Sequence, residues 1–319
     1  MAELRSIGRS ELETPPLILG GNVFGWTIDE ATSFAVLDAF VAGGGRMIDT
    51  ADIYMASAPG NVGGESETII GKWLQRRGRR DDVLITTKVG MLEIDGVKGL
   101  SPAHIGKAID ASLSRLRTDY VDLYLAHQDD ADQDQGAVAE AFDALVKAGK
   151  VRFVGASNFS AGRLGSAIDA QRNKGSARYQ VLQNQCSLLE RGEYDAVARF
   201  CIDQGIGMTP YYGLANGYLT GKYRSRDDLR GARAERVGRY LEGHGPRVLA
   251  TLGGVAEETG ATLAQIALAW VAAQPGITAP IASATSAKQV EDLLGTTELT
   301  LSPDQVTRLD EASRVEEAA

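Results

Sequence analysis

The chain is poor in the residues that most often carry covalent or metal chemistry. Its 319 residues include only two cysteines, Cys186 and Cys201, and three histidines. Two cysteines make no disulfide framework and no metal spacing. Three scattered histidines supply no zinc-ligand set. Neither cysteine has a histidine neighbour in sequence, and no Gly-x-Ser-x-Gly elbow occurs, so no nucleophile stands out. No apolar run reaches the roughly 18 residues of a spanning helix, and the opening Met1-Ala-Glu-Leu-Arg5 has no signal core. Positive charge is also short. The net charge of −9 disfavours nucleic acid or an anionic membrane as the main partner. No Pro- or Ser-rich linker divides the chain and no low-complexity segment appears. These absences lead to the expectation of one domain over 1–319, in a reduced cytoplasmic setting, acting on a small molecule without a metal.

What is present is rhythm. Eight short apolar runs alternate with helical patterns: Leu17–Gly20, Arg46–Asp49, Val83–Lys88, Val121–Leu125, Arg152–Ala156, Gln180–Leu182, Gly207–Pro210 and Ile277–Ile281. Their β-branched and aromatic content suits parallel strands buried on both faces. Between them, 104–116 repeats apolar residues on one helical face, behind a Ser101-Pro102 start. Residues 64–79 do the same with Ile69, Ile70, Trp73 and Leu74. Ser302-Pro303-Asp304-Gln305 is a capping box opening a last helix. The first twenty residues read as a short hairpin. The pattern predicts an α/β fold, a closed barrel of eight parallel strands with an N-terminal β-hairpin. An open doubly wound sheet is the rival, but Gly43-Gly44-Gly45 precedes a strand, where a dinucleotide turn would follow one.

Polar residues sit at the carboxyl ends of these runs. In order they are Gly20-Gly21, Asp49, Lys88, His127, Ser157-Asn158, Gln183, Tyr211 and Ser283, with Tyr54 five residues past Asp49. Singly, each has a plain structural role: a helix cap, a solvated lysine, a hydrogen-bonded histidine. Jointly they suit a barrel, whose sites are assembled from successive strand ends. A lysine ammonium beside a phenol favours the phenolate and lowers the tyrosine pKa. Asp49 would hold that lysine charged, and His127 would orient a substrate oxygen. Such a set suits proton donation to a carbonyl. Side chains do not supply hydride, so a nicotinamide cofactor is implied.

The same residues carry a family resemblance along nearly the whole chain. Gly45-Arg46-Met47-Ile48-Asp49-Thr50-Ala51-Asp52-Ile53-Tyr54, Thr87-Lys88-Val89-Gly90, Tyr124-Leu125-Ala126-His127 and Gly155-Ala156-Ser157-Asn158-Phe159-Ser160 resemble the motifs of the aldo-keto reductases. The resemblance implies a (β/α)8 TIM barrel with Asp49, Tyr54, Lys88 and His127 as the catalytic tetrad, Tyr54 being the general acid. It implies that Ser157, Asn158 and Gln183 hold the nicotinamide carboxamide and that the Tyr211 ring stacks on the nicotinamide. Leu214, Ala215, Gly217 and Lys222 belong to the implied pyrophosphate loop. Ser283, Thr285, Gln289 and Asp292 belong to the implied adenosine-phosphate segment, and Gly21 is placed at the cofactor too. Tyr212 and Gly213 replace a common Ser-Pro, and Leu293 replaces an Asn. Ser283 and Gln289 stand where relatives place Lys and Arg, with Lys288 nearby as a substitute charge. NADPH is therefore expected, with NADH as the alternative.

Between Lys222 and Arg239 seven Lys/Arg meet three acids. This excess reads either as a solvated face or as a flap over an anionic ligand. Trp26, Met55 and the loops 56–63, 91–100 and 128–135 are the expected substrate walls, and Asp129 and Asp130 weigh against acidic substrates. Three functions follow: carbonyl reduction, the reverse oxidation of a sugar or secondary alcohol, and a regulatory subunit that senses the cofactor.

Overall fold

A computed structural model of the chain describes residues 3–230 and 234–314. Strands β1 (Arg5–Ser6) and β2 (Glu13–Thr14) pair antiparallel, with Arg5 opposite Thr14. Eight parallel strands follow: β3 (Ile18–Gly20), β4 (Met47–Asp49), β5 (Leu84–Val89), β6 (Val121–Ala126), β7 (Val151–Ser157), β8 (Tyr179–Gln183), β9 (Gly207–Met208) and β10 (Ile281–Ala282). They hydrogen-bond in the order β10-β3-β4-β5-β6-β7-β8-β9. The last seam is looser. Met208 bridges Ile277 in parallel. The Thr278 N–H donates to the Met208 carbonyl at 2.8 Å, and the Ile281 N–H to the Pro210 carbonyl at 2.8 Å. The sheet thereby closes into a (β/α)8 barrel, and the open-sheet alternative falls.

The expected elements are present with shifted ends. The eighth strand was expected at 277–281 but is regular only at Ile281–Ala282. Pro280 lies inside the expected run, and a proline cannot donate to the ladder. Pro210 likewise ends β9 at Met208. The helix expected at 104–116 is Pro102–Leu116, capped by the Ser101 side chain. That at 64–79 is Glu65–Arg77, and the last is Pro303–Ser313 with its capping box intact.

Two cores sit on either side of the barrel wall. Outside, Ile69, Ile70, Trp73, Ile105, Ile109 and Phe142 pack helices onto the sheet. Inside, Ile18, Met47, Leu84, Leu123, Leu125, Val181 and Ile281 fill the lumen together with Ile7 and Leu12. Those last two come from the connection between β1 and β2, where the Ile7 N–H donates to the Leu12 carbonyl at 2.9 Å, so the hairpin plugs the amino-terminal end of the barrel. Gly8 makes this possible, because a Cβ there would lie 2.1 Å from the Gln180 carbonyl oxygen. With one end stoppered, the strand carboxyl ends are the open mouth.

Candidate active site

Asp49, the last residue of β4, is buried and central. Its Oδ1 accepts from Lys88 Nζ at 2.7 Å and from the Tyr54 hydroxyl at 2.7 Å. Its Oδ2 accepts from Gln183 Nε2 at 2.8 Å, linking β4 to β8 across the barrel. Lys88, fully buried on β5, also donates to the Thr50 carbonyl at 2.8 Å and to the Tyr54 hydroxyl at 2.5 Å. The His127 ring stands edge-on to Tyr54, with centroids 6.0 Å apart. The four residues expected to act together are therefore in one place.

Electrostatics separates their roles. Burial and the Asp49 charge hold the Tyr54 phenol well above its ordinary range. Lys88 was expected to lower it. Burial outweighs that effect, and the phenol keeps its proton through neutral pH. Burial also draws Lys88 below the ordinary lysine range, with Asp49 opposing. His127 is held well below the usual histidine range by burial and then by the Lys88 charge, so its ring is neutral. Its Nδ1 is buried, with no hydrogen-bond partner among the described residues.

A second chain of hydrogen bonds orders the neighbouring strand ends. The Asn158 amide donates to the His127 carbonyl at 2.8 Å and accepts from the Tyr211 hydroxyl at 2.8 Å. The Ser157 hydroxyl donates to the Gln183 carbonyl at 2.7 Å. Asn158 holds φ at 58° to do this, a conformation that asparagine tolerates better than most residues. Tyr211 packs edge-to-face on Tyr212 at 4.9 Å.

These groups open onto a cavity of about 760 Å³, within the usual range of roughly 300–1,000 Å³ for ligand sites. Asp49, Tyr54, His127, Ser157, Asn158, Gln183 and Tyr211 line it. So do Leu214, Gly217, Lys222, Ser283, Thr285, Gln289 and Asp292. Three expected residues are not in the lining: Lys88 is fully buried beneath Tyr54 and Asp49, and Gly21 and Ala215 are also outside it. Gly21 lies behind it, where a Cβ would stand 2.8 Å from Ser66 Oγ and 3.0 Å from the Asp49 carbonyl oxygen. Ala215 is buried in the turn after β9. Of the expected substrate walls only Met91 borders the cavity, beside Val23, Thr27 and Tyr212. Asp129 is engaged by Arg163 at 2.6 Å, and Asp130 accepts from the Leu100 N–H at 2.8 Å, so both brace loops.

The basic segment divides. Lys222 and Arg230 line the cavity. Arg226 pairs with Glu242 and Arg239 with Glu190, away from that lining. Arg233 lies outside the described residues. Asn22 and Thr262 also border the cavity and escaped the sequence reading. Asn22 accepts from the Ser283 hydroxyl at 2.7 Å. Thr262 had a signal: Thr262-x-x-Gln265 is a capping box for the helix Leu263–Ala273.

Comparison with known proteins bears on the family. The sequence model of the Aldo/keto reductase family matches residues 16–314. An uncharacterized oxidoreductase, YrpG, of Bacillus subtilis (strain 168) is 33% identical over 97% of this chain and 95% of its own. Protein tas of Escherichia coli (strain K12) is 30% identical over 97% of each chain. A norsolorinic acid reductase, stcV, of Emericella nidulans is 28% identical over 94% of this chain and 78% of its own.

Proposed function

Because the chain belongs to the aldo/keto reductase family of oxidoreductases, we propose that it reduces an aldehyde or ketone with NADPH, Tyr54 giving the proton. The observation that carries this is the Tyr54 hydroxyl held between Lys88 at 2.5 Å and Asp49 at 2.7 Å, at the wall of a cavity it shares with His127.

The residues fit a dinucleotide. Ser157, Asn158 and Gln183 offer amide and hydroxyl groups to the nicotinamide carboxamide, and Tyr211 offers a ring face. Gly213 and Gly217 line the cavity and let backbone approach a pyrophosphate. Lys222 and Arg230 supply positive charge to the same wall, which matters in a protein of net charge −9. Thr285, Ser283 and Gln289, with Lys288 alongside, would take the adenosine phosphate. When bound, a reduced nicotinamide supplies the hydride that a carbonyl needs.

The chain's own groups then manage the proton. The Tyr54 phenol donates to the carbonyl oxygen. The Lys88 ammonium stabilises the phenolate left behind, and Asp49 holds Lys88 in place. Neutral His127 orients the carbonyl oxygen by hydrogen bonding and brings no charge. Reduction uses the protonated Tyr54 phenol and the reverse oxidation uses its phenolate as base, so the two directions should respond oppositely to pH. The test is NADPH consumption across a panel of aldehydes and ketones, with binding of NADPH and NADH followed by fluorescence. Carbonyl-dependent oxidation of NADPH is expected. Binding of neither nucleotide would overturn the reading.

A further inference from the structure

Behind the wall that carries Lys88 lies a second set of charged groups that does not border the cavity. Asp52 and Glu67 are both fully buried. Glu67, on the helix Glu65–Arg77, accepts from the Thr87 hydroxyl at 2.5 Å and from Arg115 Nε at 2.7 Å. Thr87 immediately precedes Lys88 on β5. Arg115 comes from the helix Pro102–Leu116. Asp52 sits two residues before Tyr54, and its backbone carbonyl accepts from the Gly64 N–H at 2.7 Å. Among the described residues its two buried carboxyl oxygens have no partner in hydrogen-bond geometry, and neither has the buried Tyr124 hydroxyl of β6. A buried carboxylate left unpaired is costly, and such a group persists at a functional site more readily than elsewhere.

The groups that act on Asp52 come from every element around it. Burial and the Glu67 charge push its carboxyl up to about 7, with Arg115, the Ile53 N–H and Lys88 pulling the other way. Asp52 in turn favours the charged form of Lys88, and it acts on the Tyr124 hydroxyl. Glu67 is matched by Arg115, and Asp49 by Lys88. Asp52 is the carboxyl in this set without a cation of its own.

We propose that Asp52 is a positioning residue that adjusts, through Lys88, how readily Tyr54 gives up its proton. The proposal rests on the reductase reading above. With Asp52 neutral, the Lys88 field falls on Tyr54, and the phenol is the stronger acid. With Asp52 ionised, part of that field is cancelled, and proton donation slows. Wild-type kcat for reduction should therefore fall about two- to five-fold through an inflection near neutrality, a modest share of what general acid catalysis supplies. KM should stay level, because Asp52 is not in the cavity lining.

Asp52→Asn imitates the neutral carboxyl. Its rate should match wild type near pH 6, exceed it near pH 8, and show no inflection between them. A variant slower than wild type by one factor at every pH, or a wild type without the inflection, would overturn the proposal. Infrared spectroscopy of the wild type supplies a readout without turnover. The carbonyl stretch of a protonated buried carboxyl should disappear as pH rises through neutrality. Glu67→Gln should move that transition to lower pH, because a neighbouring negative charge is gone. No titrating carboxyl in wild type also overturns the proposal, even if Asp52→Asn does not fold. A carboxyl that titrates in a protein consuming no NADPH with any carbonyl would instead count against the reductase reading.

Discussion

At the scale of single residues, the arrangement around Asp49 makes unlike substitutions distinguishable. Tyr54→Phe removes the hydroxyl that contacts both Lys88 and Asp49. Turnover should drop at least about 10²-fold, while fluorescence titration finds NADPH affinity little changed. A Phe variant near wild-type rate would move the proton donor elsewhere. Gly21 acts differently. It donates its N–H to the Asp49 carbonyl at 2.7 Å and accepts from Ser66 at 2.8 Å, so an added methyl meets the groups that seat Asp49. Gly21→Ala should cost about 1–3 kcal/mol and lower turnover as well. Thermal unfolding and initial rates measured together check this. Full activity with a lowered Tm would mean that the shift does not reach Asp49.

At the scale of elements, two helices begin with the same device and differ in what stands beside it. Ser302 caps Pro303–Ser313 and Thr262 caps Leu263–Ala273, each with a reciprocal glutamine. Losing either cap should cost about 1 kcal/mol. Thr262 also borders the cavity and donates to Asp292 at 3.4 Å. Thr262→Ala should therefore weaken NADPH binding, whereas Ser302→Ala should lower Tm alone. Equal dissociation constants in the two variants would remove Thr262 from the cofactor wall. Strand boundaries follow similar local chemistry. Ser101, Ser302 and the paired apolar faces were legible because capping and helical period act within one turn. The end of β9 and the start of β10 were not, because Pro210 and Pro280 interrupt a ladder whose partner lies far along the chain.

At the scale of the whole molecule, pH should act through buried ionisable groups of opposite sign. All three histidines are held below the ordinary value of 6.5 by burial. The folded state thus binds fewer protons than the unfolded chain below that value. Their stability contribution is complete above about pH 6.5 and is lost as pH falls. Asp52 works in reverse. Its carboxyl rises from 3.8 to about 7 on folding, so its contribution is complete below about pH 4 and is lost as pH rises to 7. Asp52→Asn should consequently gain stability relative to wild type between about pH 4 and 7, then keep a constant lead. Denaturant unfolding at several pH values checks this, and a difference that does not change with pH would show that Asp52 does not titrate in that window.

The sequence by itself determined the alternation of strands and helices, the hairpin ahead of them, and the polar residue closing each apolar run. Those are local facts, set by side-chain period, capping and turn chemistry, and they sufficed for the barrel and for the family. Only the tertiary structure decided what the polar ends do to one another. Gln183 reaching Asp49 across the barrel, Gly21 falling behind the cavity, Arg239 turning to Glu190, and Asp52 buried with no hydrogen-bond partner among the described residues all depend on segments far apart in sequence. Burial, too, is a property of the closed barrel. The Lys88 charge beside Tyr54 could be read from the chain, but not the loss of water that outweighs it.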